Sequence, residues 1–229
     1  LPIMVQVTVD TFSKMQIFNT DIQAACTTVA GMGIDVFGIN CNVGPEEMVA
    51  TVEKLNRFCP YPISVVPNAG QPISEDGKTH YKLSPEDMAN TMEPFVREQG
   101  VSIVGGCCGT RPDHIQALRK RLDGVVPAPR QPDRRVFVSG PQEAVPIDSS
   151  KGLVRIGERL NVRGSRIVRE AVEREGDIAM PVLEEVVDEQ AKDLGIEIID
   201  VCMDSNIVET ESVLAQVIHE LTSDFKGVM

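Results

Sequence analysis

The chain has 229 residues, of which 42% are hydrophobic and 24% charged, and this balance excludes a mainly disordered or collagen-like protein. The formal net charge of −12 repels polyphosphate and anionic lipid, so we expect neither nucleic acid nor a membrane as a partner. No apolar run approaches the roughly 18 residues of a membrane helix, and the N-terminus lacks a secretory pattern, so we expect a cytoplasmic protein.

Strands alternate with helices over residues 1–126. Short runs rich in β-branched residues predict strands over residues 3–9, 35–39, 63–66 and 102–104. Their starts recur about every thirty residues, which is the spacing of βα units in an eight-unit barrel of about 250 residues. These units predict an α/β domain that is the C-terminal half of a (βα)8 TIM barrel.

Three helices of this domain have start signals in the sequence. Pro45, with two acids after it, opens the first helix, Ser84 is the predicted N-cap of the second, and Thr110 with Pro112 opens the third. Apolar residues follow each start at helical spacing, which predicts that one face of each helix packs on the sheet.

The character of the sequence changes after residue 126. Residues 127–150 contain five prolines and a basic cluster without a helical period, so we predict a linker. The predicted elements of residues 151–229 are strands over 153–156 and 197–201, a helical stretch to about Leu194 and a helix over 210–221. A further strand is expected near residues 227–229, where the chain ends. Because the first residue is Leu, we also expect the chain to be a piece of a longer protein.

Three of the six cysteines follow predicted strands. Cys41 comes after the strand over 35–39, and Cys107 and Cys108 come after the strand over 102–104. The carboxyl ends of parallel barrel strands carry the active site, so the three thiols are expected at one edge of the sheet. Three thiolates with an open fourth position suit a catalytic Zn²⁺, although this spacing also allows inert thiols in a tightly packed interior.

The remaining cysteines and the histidines carry weaker signals. Cys26 and Cys59 fall on helical positions or helix ends, where inert buried thiols are the simpler interpretation. A disulfide framework is disfavoured in a chain long enough to form an apolar core. His114 lies in the first turns of the helix after the cysteine pair, so it is a candidate for supporting a metal ligand. His80 and His219 have no candidate metal ligand near them in the sequence.

Three sequence blocks, over residues 38–45 (GINCNVGP), 67–72 (PNAGQP) and 105–115 (GGCCGTRPDHI), resemble the zinc-dependent homocysteine S-methyltransferase family. They stand in the order found in that family and at matching strand ends. The resemblance implies a TIM barrel in which a zinc-bound homocysteine thiolate attacks an activated methyl group to give methionine.

The same resemblance implies roles for single residues. Cys41, Cys107 and Cys108 would hold Zn²⁺, and Asn68 would lie close to the metal as a candidate fourth ligand when homocysteine is absent. A turn-forming role beside Gly70 is an equal alternative for Asn68. Three thiolates give the zinc centre one net negative charge and a fourth sulfur gives it two, which limits how much nucleophilicity the metal withdraws.

Two blocks of the second segment, residues 156–165 (IGERLNVRGS) and 198–204 (IIDVCMD), resemble the start of the pterin-binding barrel of cobalamin-dependent methionine synthases. Carried over by position, Glu158, Asn161 and Asp200 would face the pterin of 5-methyltetrahydrofolate. Without the resemblance, the two acids are simply solvated groups at strand ends.

The two resemblances together imply a fragment of an enzyme that uses Zn²⁺, 5-methyltetrahydrofolate and methylcobalamin. The cobalamin-binding module would lie elsewhere in the same chain or in another chain, and we expect the 229 residues alone to be inactive. Cys202 stands where the family usually has Asn, a departure that bears on folate binding. The alternatives are a folate-independent homocysteine S-methyltransferase with a sulfonium or betaine donor, and a non-catalytic zinc-binding or assembly half of a split enzyme.

Overall fold

The computed structural model describes residues 1–148 and 152–222 of the chain. The chain divides into two compact units, Leu1–Arg134 and Arg135–Met229. The domain boundary predicted at residues 150–151 and the strand expected near residues 227–229 lie outside the described residues. In the described ranges, no helix has the length and apolar character needed to cross a membrane.

The first unit alternates strands and helices, as predicted. Its strands, β1 to β8 in chain order, are Met4–Val7, Lys14–Met15, Thr20–Asp21, Val36–Asn40, Ile63–Val66, Ile73–Glu75, Lys78–His80 and Val101–Val104. Its helices, α1 to α4, are Ile22–Ala30, Val49–Phe58, Pro85–Arg97 and Pro112–Arg121. One parallel sheet has the order β1-β4-β5-β8, and the other strands form two small antiparallel hairpins. The prediction of an α/β fold with a parallel sheet is confirmed.

The parallel strands lie close to the predicted runs. β5 has the predicted bounds, Ile63–Val66, whereas the strand predicted over residues 3–9 shortens to Met4–Val7. It shortens because its ladder with β4 ends where Val7 pairs with Ile39. The length of a ladder depends on the partner strand, so a hydrophobic run in one strand does not mark where pairing stops.

The core of the first unit lies between the sheet and its helices. Phe37, Ile39 and Ile63 of the sheet are fully buried, and so are Leu55 of α2 and Met92 of α3. Each such side chain contributes roughly 1.5–3 kcal/mol by leaving water. This unit therefore has a core of its own, which supports the strands from which the site residues extend.

The helix starts follow the predicted signals, with one shift. Ser84 caps α3, because its Oγ accepts a hydrogen bond from the Asp87 N–H at 3.1 Å. α2 begins at Val49 instead of Pro45, because the residues from Pro45 to Met48 form a turn before the regular helix. The predicted signal thus marks the turn that leads into the helix.

The second unit has its own set of elements within the described residues. Its strands, β9 to β12, are Val136–Ser139, Ala144–Ile147, Ile156–Asn161 and Ile198–Cys202. Its helices, α5 to α7, are Arg166–Val172, Met180–Asp188 and Thr210–Leu221, and a π-helical turn spans Glu189–Asp193. β9 and β10 form an antiparallel hairpin inside the predicted linker, residues 127–150, and β11 and β12 form a parallel pair. The hairpin is not among the predicted elements.

The strand predicted over residues 153–156 is wrong, because β11 starts only at Ile156. Leu160, later in β11, is fully buried, whereas 98% of the surface of Leu153 is exposed. A strand is recognised in the sequence by its apolar pattern, and the charged residues 158–159 interrupt that pattern inside β11. The prediction therefore falls on the apolar run before them, residues 153–156.

The helices of the second unit pack on this parallel pair. Leu183 of α6 and Val217 of α7 are fully buried together with Ile199 of β12. α7 has the predicted bounds, but the helical stretch predicted to about Leu194 is divided into α5, α6 and the π-helical turn. Between α5 and α6 the chain passes through Gly176 at a φ of +92°, a conformation that a right-handed helix does not contain.

Candidate metal centre

Three sulfur atoms converge at the carboxyl edge of the four-stranded sheet. Cys41 directly follows β4, and Cys107 and Cys108 come shortly after β8. The Sγ atoms of Cys41 and Cys108 are 3.6 Å apart, and those of Cys107 and Cys108 are 3.9 Å apart. All three sulfurs lie within 4.8 Å of one another. The structure thus brings together the three cysteines that the sequence places at strand ends.

Two of the three sulfur–sulfur distances match those of a tetrahedral metal site. With Zn–S bonds of about 2.3 Å, two sulfurs of a tetrahedral site are about 3.8 Å apart. The observed 3.6 and 3.9 Å lie on either side of that value. Cys108 is exposed while Cys41 and Cys107 are half-buried, so a ligand can reach the cluster from one side. Among the residues that the structure describes, this is the only group of three or more His, Cys, Asp or Glu side chains close enough to share one ion.

The backbone bends sharply at Cys41. Cys41 and Asn42 have φ values of +59° and +66°, a left-handed conformation that is uncommon outside glycine. The Cys41 N–H still donates to Val66 O at 2.9 Å, and the Asn42 side chain donates to Val9 O at 2.9 Å. Residues in sparsely populated conformations cost about 1–3 kcal/mol each and persist where the surroundings impose them. Here the neighbouring strand ends impose the bend.

Hydrogen bonds fasten the cysteine pair to the loop after β5. The Cys107 N–H donates to Pro67 O at 2.7 Å, and the Ala69 N–H donates to Cys108 O at 2.9 Å. The Cys108 N–H donates to Asn68 Oδ1 at 3.1 Å. The position of the pair therefore depends on that loop.

Asn68 joins the two cysteine loops. Only 2% of its surface is exposed, its Oδ1 accepts from the Cys108 N–H, and its backbone N–H donates to Val43 O, in the loop of Cys41, at 3.0 Å. These contacts are those of a residue that holds the turn. The role of Asn68 as a fourth ligand stays a prediction.

The thiols of the cluster differ in acidity. Hydrogen bonds, first of all with the backbone of Asn42, lower the pKa of Cys41. Burial, and then the hydrogen bonds with Cys41 and Cys108, raise the pKa of Cys107 to about 11. A bound divalent cation favours the thiolate form of a coordinating thiol and would offset this difference.

Tyr81 is a site residue that the sequence does not reveal. Its ring lies over Gly109, where an added Cβ would come within 2.3 Å of Tyr81 Cγ, so the ring requires glycine at that position. Burial, and then a hydrogen bond with Cys108, raise the pKa of Tyr81, as expected for a hydroxyl that donates to sulfur. The available signal is a tyrosine between two motif blocks of a chain that has only two tyrosines.

His114 lies in the first turn of α4, and only 2% of its surface is exposed. Its Nδ1 accepts a hydrogen bond from the Arg111 N–H at 3.2 Å, and its Nε2 lies 3.0 Å from Leu83 O. Arg111 is therefore the N-cap residue of α4, and Thr110, which the sequence favours, precedes it. In these two hydrogen bonds His114 contacts backbone groups of Arg111 and Leu83 and no sulfur atom of the cluster.

Cys26 and Cys59 are buried in the core of the first unit, outside the three-sulfur cluster. A hydrogen bond between them, together with burial, raises the pKa of Cys26. Arg130 donates to Cys59 O at 2.8 Å, and burial lowers the pKa of that guanidinium. All six cysteines of the chain are free thiols.

In the second unit, Glu158 and Asn161 contact each other within β11. Glu158 Oε1 accepts from Asn161 Nδ2 at 2.9 Å. Asn161 Oδ1 accepts from the N–H groups of Arg163 and Gly164, at 2.9 Å each. Two of the three residues predicted to face a pterin are thus held together by a local network.

Asp200 is exposed on β12, opposite an irregularity of β11. Ile199 and Val201 pair with Gly157 and Leu160, so Asp200 lies opposite the two residues of β11 between those pairings. One of these two is Glu158, which also lines a groove of about 350 Å³. Cys202, the departure from the resemblance, pairs with Asn161 at the end of the ladder.

Comparison with known proteins places the sequence of this chain in a family. A family model described as homocysteine S-methyltransferase matches residues 1–122, which is more than half of the chain. A methionine synthase of Mycobacterium leprae is 38% identical over 177 residues, covering 75% of this chain and 15% of the relative. A methionine synthase of Mycobacterium tuberculosis is 35% identical over 204 residues, covering 89% of this chain and 17% of the relative. The chain thus spans less than a fifth of the length of these relatives. On the family match, the chain belongs to the homocysteine S-methyltransferase family.

Proposed function

We propose that the three-sulfur cluster holds Zn²⁺, and that the protein containing this chain transfers a methyl group to the thiol of homocysteine to give methionine. The observation that carries the proposal is the convergence of the Cys41, Cys107 and Cys108 sulfurs within 4.8 Å of one another, with two of their distances near the tetrahedral value, inside the segment that matches the family. The name of the relatives, methionine synthase, supports methionine as the product.

Each part of the site has a task in this reaction. Free thiols titrate near 8.5, so most homocysteine is protonated at neutral pH. Zn²⁺ at the cluster would supply a Lewis acid that favours the thiolate form of the substrate. The three cysteine thiolates donate charge that keeps the substrate sulfur nucleophilic, and the exposed side of Cys108 leaves a fourth position accessible. The Tyr81 ring packs on Gly109, directly after Cys108, and so helps to fix the turn that carries this cysteine.

We assign both units to TIM barrels. The first unit has four parallel strands, the number in half of a (βα)8 barrel, and cysteines follow two of them at the carboxyl edge of the sheet. The parallel pair β11–β12 in the second unit suits the first strands of a second barrel of this type. The proposed domain limits are residues 1–126 and 151–229, with the linker over 127–150.

The second unit suggests the source of the methyl group. In this proposal Glu158, Asn161 and Asp200 bind the pterin of 5-methyltetrahydrofolate, because carboxylate and amide groups complement the donors and acceptors of a pterin edge. The bond from Asn161 Nδ2 to Glu158 Oε1 orients that carboxylate. In this proposal the methyl carrier is methylcobalamin, which would be held by a module elsewhere in the same chain or in another chain.

The pterin assignment predicts a loss of folate affinity on removal of one carboxylate. In a chain extended beyond Met229, Asp200→Ala should weaken binding of 5-methyltetrahydrofolate at least about tenfold, because a hydrogen bond to a charged group contributes roughly 1.5–3 kcal/mol. Titration calorimetry measures this, with Asp193→Ala, a carboxylate of the π-helical turn, as the control. Equal affinity of the Asp200 variant and the control would contradict the assignment.

The proposed reaction at the cluster is tested by substrate binding. In the chain loaded with Co²⁺, homocysteine should change the thiolate-to-metal charge-transfer band and the visible d–d bands, because a fourth sulfur enters the coordination sphere. Homoserine, which has oxygen in place of sulfur, should leave both unchanged. Spectra that do not respond to millimolar homocysteine, or a reduced chain that takes up neither Co²⁺ nor Zn²⁺, would refute the proposed function.

A further inference from the structure

The buried imidazole of His114 links two segments that are distant in sequence. The Arg111 N–H donates to Nδ1, and because Leu83 O can only accept a hydrogen bond, Nε2 carries a ring proton. Nε2 then donates to Leu83 O at 3.0 Å. Asp113 Oδ1 lies 3.2 Å from Nδ1 and accepts from the His114 N–H at 3.1 Å. Both ring nitrogens therefore have a partner.

The bond to Leu83 completes a ring of contacts around Cys108. The Leu83 N–H donates to Ala69 O at 3.1 Å, and the Ala69 N–H donates to Cys108 O at 2.9 Å. From Cys108 the chain runs through Gly109 to α4 and returns to His114. His114 is therefore joined to Cys108 in two ways: by hydrogen bonds through Leu83 and Ala69, and by the covalent chain through Gly109.

Tyr81 also contacts the residues of this ring of contacts. Tyr81 is two residues before Leu83, and its side chain lies on Gly109, directly after Cys108. If Leu83 shifts, the phenol and the cysteine turn shift with it. The Cys108 sulfur is 3.6 Å from Cys41, so a displacement of a few tenths of an ångström changes the geometry that suits a metal.

We propose that His114 is a positioning residue of the metal centre, whose bond to Leu83 O holds the Cys108 sulfur and the Tyr81 phenol against the other two thiols. The inference rests on the proposed metal-binding function of the cluster. His114 touches neither the metal nor the substrate in this scheme. It acts through Leu83 and Ala69, as outer partners that orient metal ligands do.

Two amide variants separate the two bonds of the imidazole. The terminal amide of Gln places its nitrogen near the position of Nε2, so His114→Gln retains a donor to Leu83 O. The shorter Asn places its amide near Nδ1, so His114→Asn retains an acceptor for the Arg111 N–H and loses the bond to Leu83. His80→Gln, on the exposed strand β7, is the matched control.

In the full chain, His114→Asn should bind Co²⁺ about tenfold more weakly than wild type in competition with a chelator, which is within the range for outer partners of metal ligands. Its charge-transfer and d–d bands should also shift. His114→Gln and His80→Gln should resemble wild type in both affinity and spectrum. A urea titration of each metal-free variant reports folding separately.

A His114→Asn variant with wild-type affinity and spectrum would overturn the inference. So would His114→Gln and His114→Asn variants that lose affinity equally, since the bond to Leu83 would then not be the cause. If wild type binds no metal, the proposed function fails, and capture of a trivalent arsenical that bridges neighbouring thiols decides the positioning role. Slower capture by His114→Asn than by His114→Gln supports that role, and equal capture refutes it.

Discussion

Replacing Cys41, Cys107 or Cys108 with Ser should reduce the bound zinc from about one ion per chain to nearly none. A serine hydroxyl stays protonated at neutral pH and offers a hard oxygen where zinc prefers a soft thiolate. Since the three sulfurs are the protein ligands that the cluster offers, the loss of one leaves two. Elemental mass spectrometry of protein purified under reducing conditions measures the ratio of metal to chain.

The control for this experiment is Cys202→Ser, which changes a half-buried thiol of the second unit and should retain the metal. The cluster variants should unfold within about 0.5 kcal/mol of metal-free wild type, because partly exposed substitutions of this size disturb little packing. Zinc retained by any one of the three variants would remove that cysteine from the ligand set. Freshly prepared, reduced wild type without zinc would contradict the whole assignment.

A methyl group added at Gly38 should destabilise the first unit by about 3 kcal/mol, the upper end of typical overpacking costs. Gly38 lies in β4, and a Cβ there would come within 2.3 Å of Ser64 O and 2.7 Å of Ser64 Cβ in the neighbouring strand. Because the clash is partly with backbone, β5 has to move away from β4. The unfolding free energy of Gly38→Ala from urea titration measures the effect.

Gly31→Ala is the matched control for this substitution. Gly31 is the C-cap residue of α1 with a φ of −78°, and a Cβ built on it meets nothing within 4 Å. We expect it to change stability by no more than about 0.5 kcal/mol, because the conformation is open to any residue. Similar effects of the two substitutions would mean that the close approach of β4 and β5 is not required for stability. Gly38→Ala should also weaken metal binding, because Cys41 follows three residues later.

The metal centre is more predictable than the residues around it. Cys41, Cys107 and Cys108 follow strands, and the rule that parallel strands present their carboxyl ends at one edge is enough to group them. Tyr81 and His114 owe their positions to contacts with Gly109 and Leu83. Such contacts join segments on separate elements, and a pattern within either segment does not contain them.

In the second unit, charged residues account for the misplaced strand. Glu158 and Arg159 stand inside β11, where apolar residues are expected, and the ladder with β12 accommodates them by a change of register. Pairing with β12 thus accommodates charged residues at positions where the local hydrophobic pattern predicts apolar ones. The hairpin β9–β10 is a second case in which pairing overrides the local pattern. Pro146 is typical of a linker, but in the structure it pairs with Phe137.

The alternation of strands and helices, the Ser84 cap and the order in which thiols follow strands can all be predicted from the sequence. These features depend on neighbours within a few residues, so local propensity is enough to specify them. By contrast, the distance of 3.6 Å between sulfurs 67 positions apart, and the hydrogen bond from the Cys108 N–H to Asn68 Oδ1, are visible only in the folded chain. Those distances arise from packing and hydrogen bonds between separate loops, and no local pattern encodes the position of one loop relative to another.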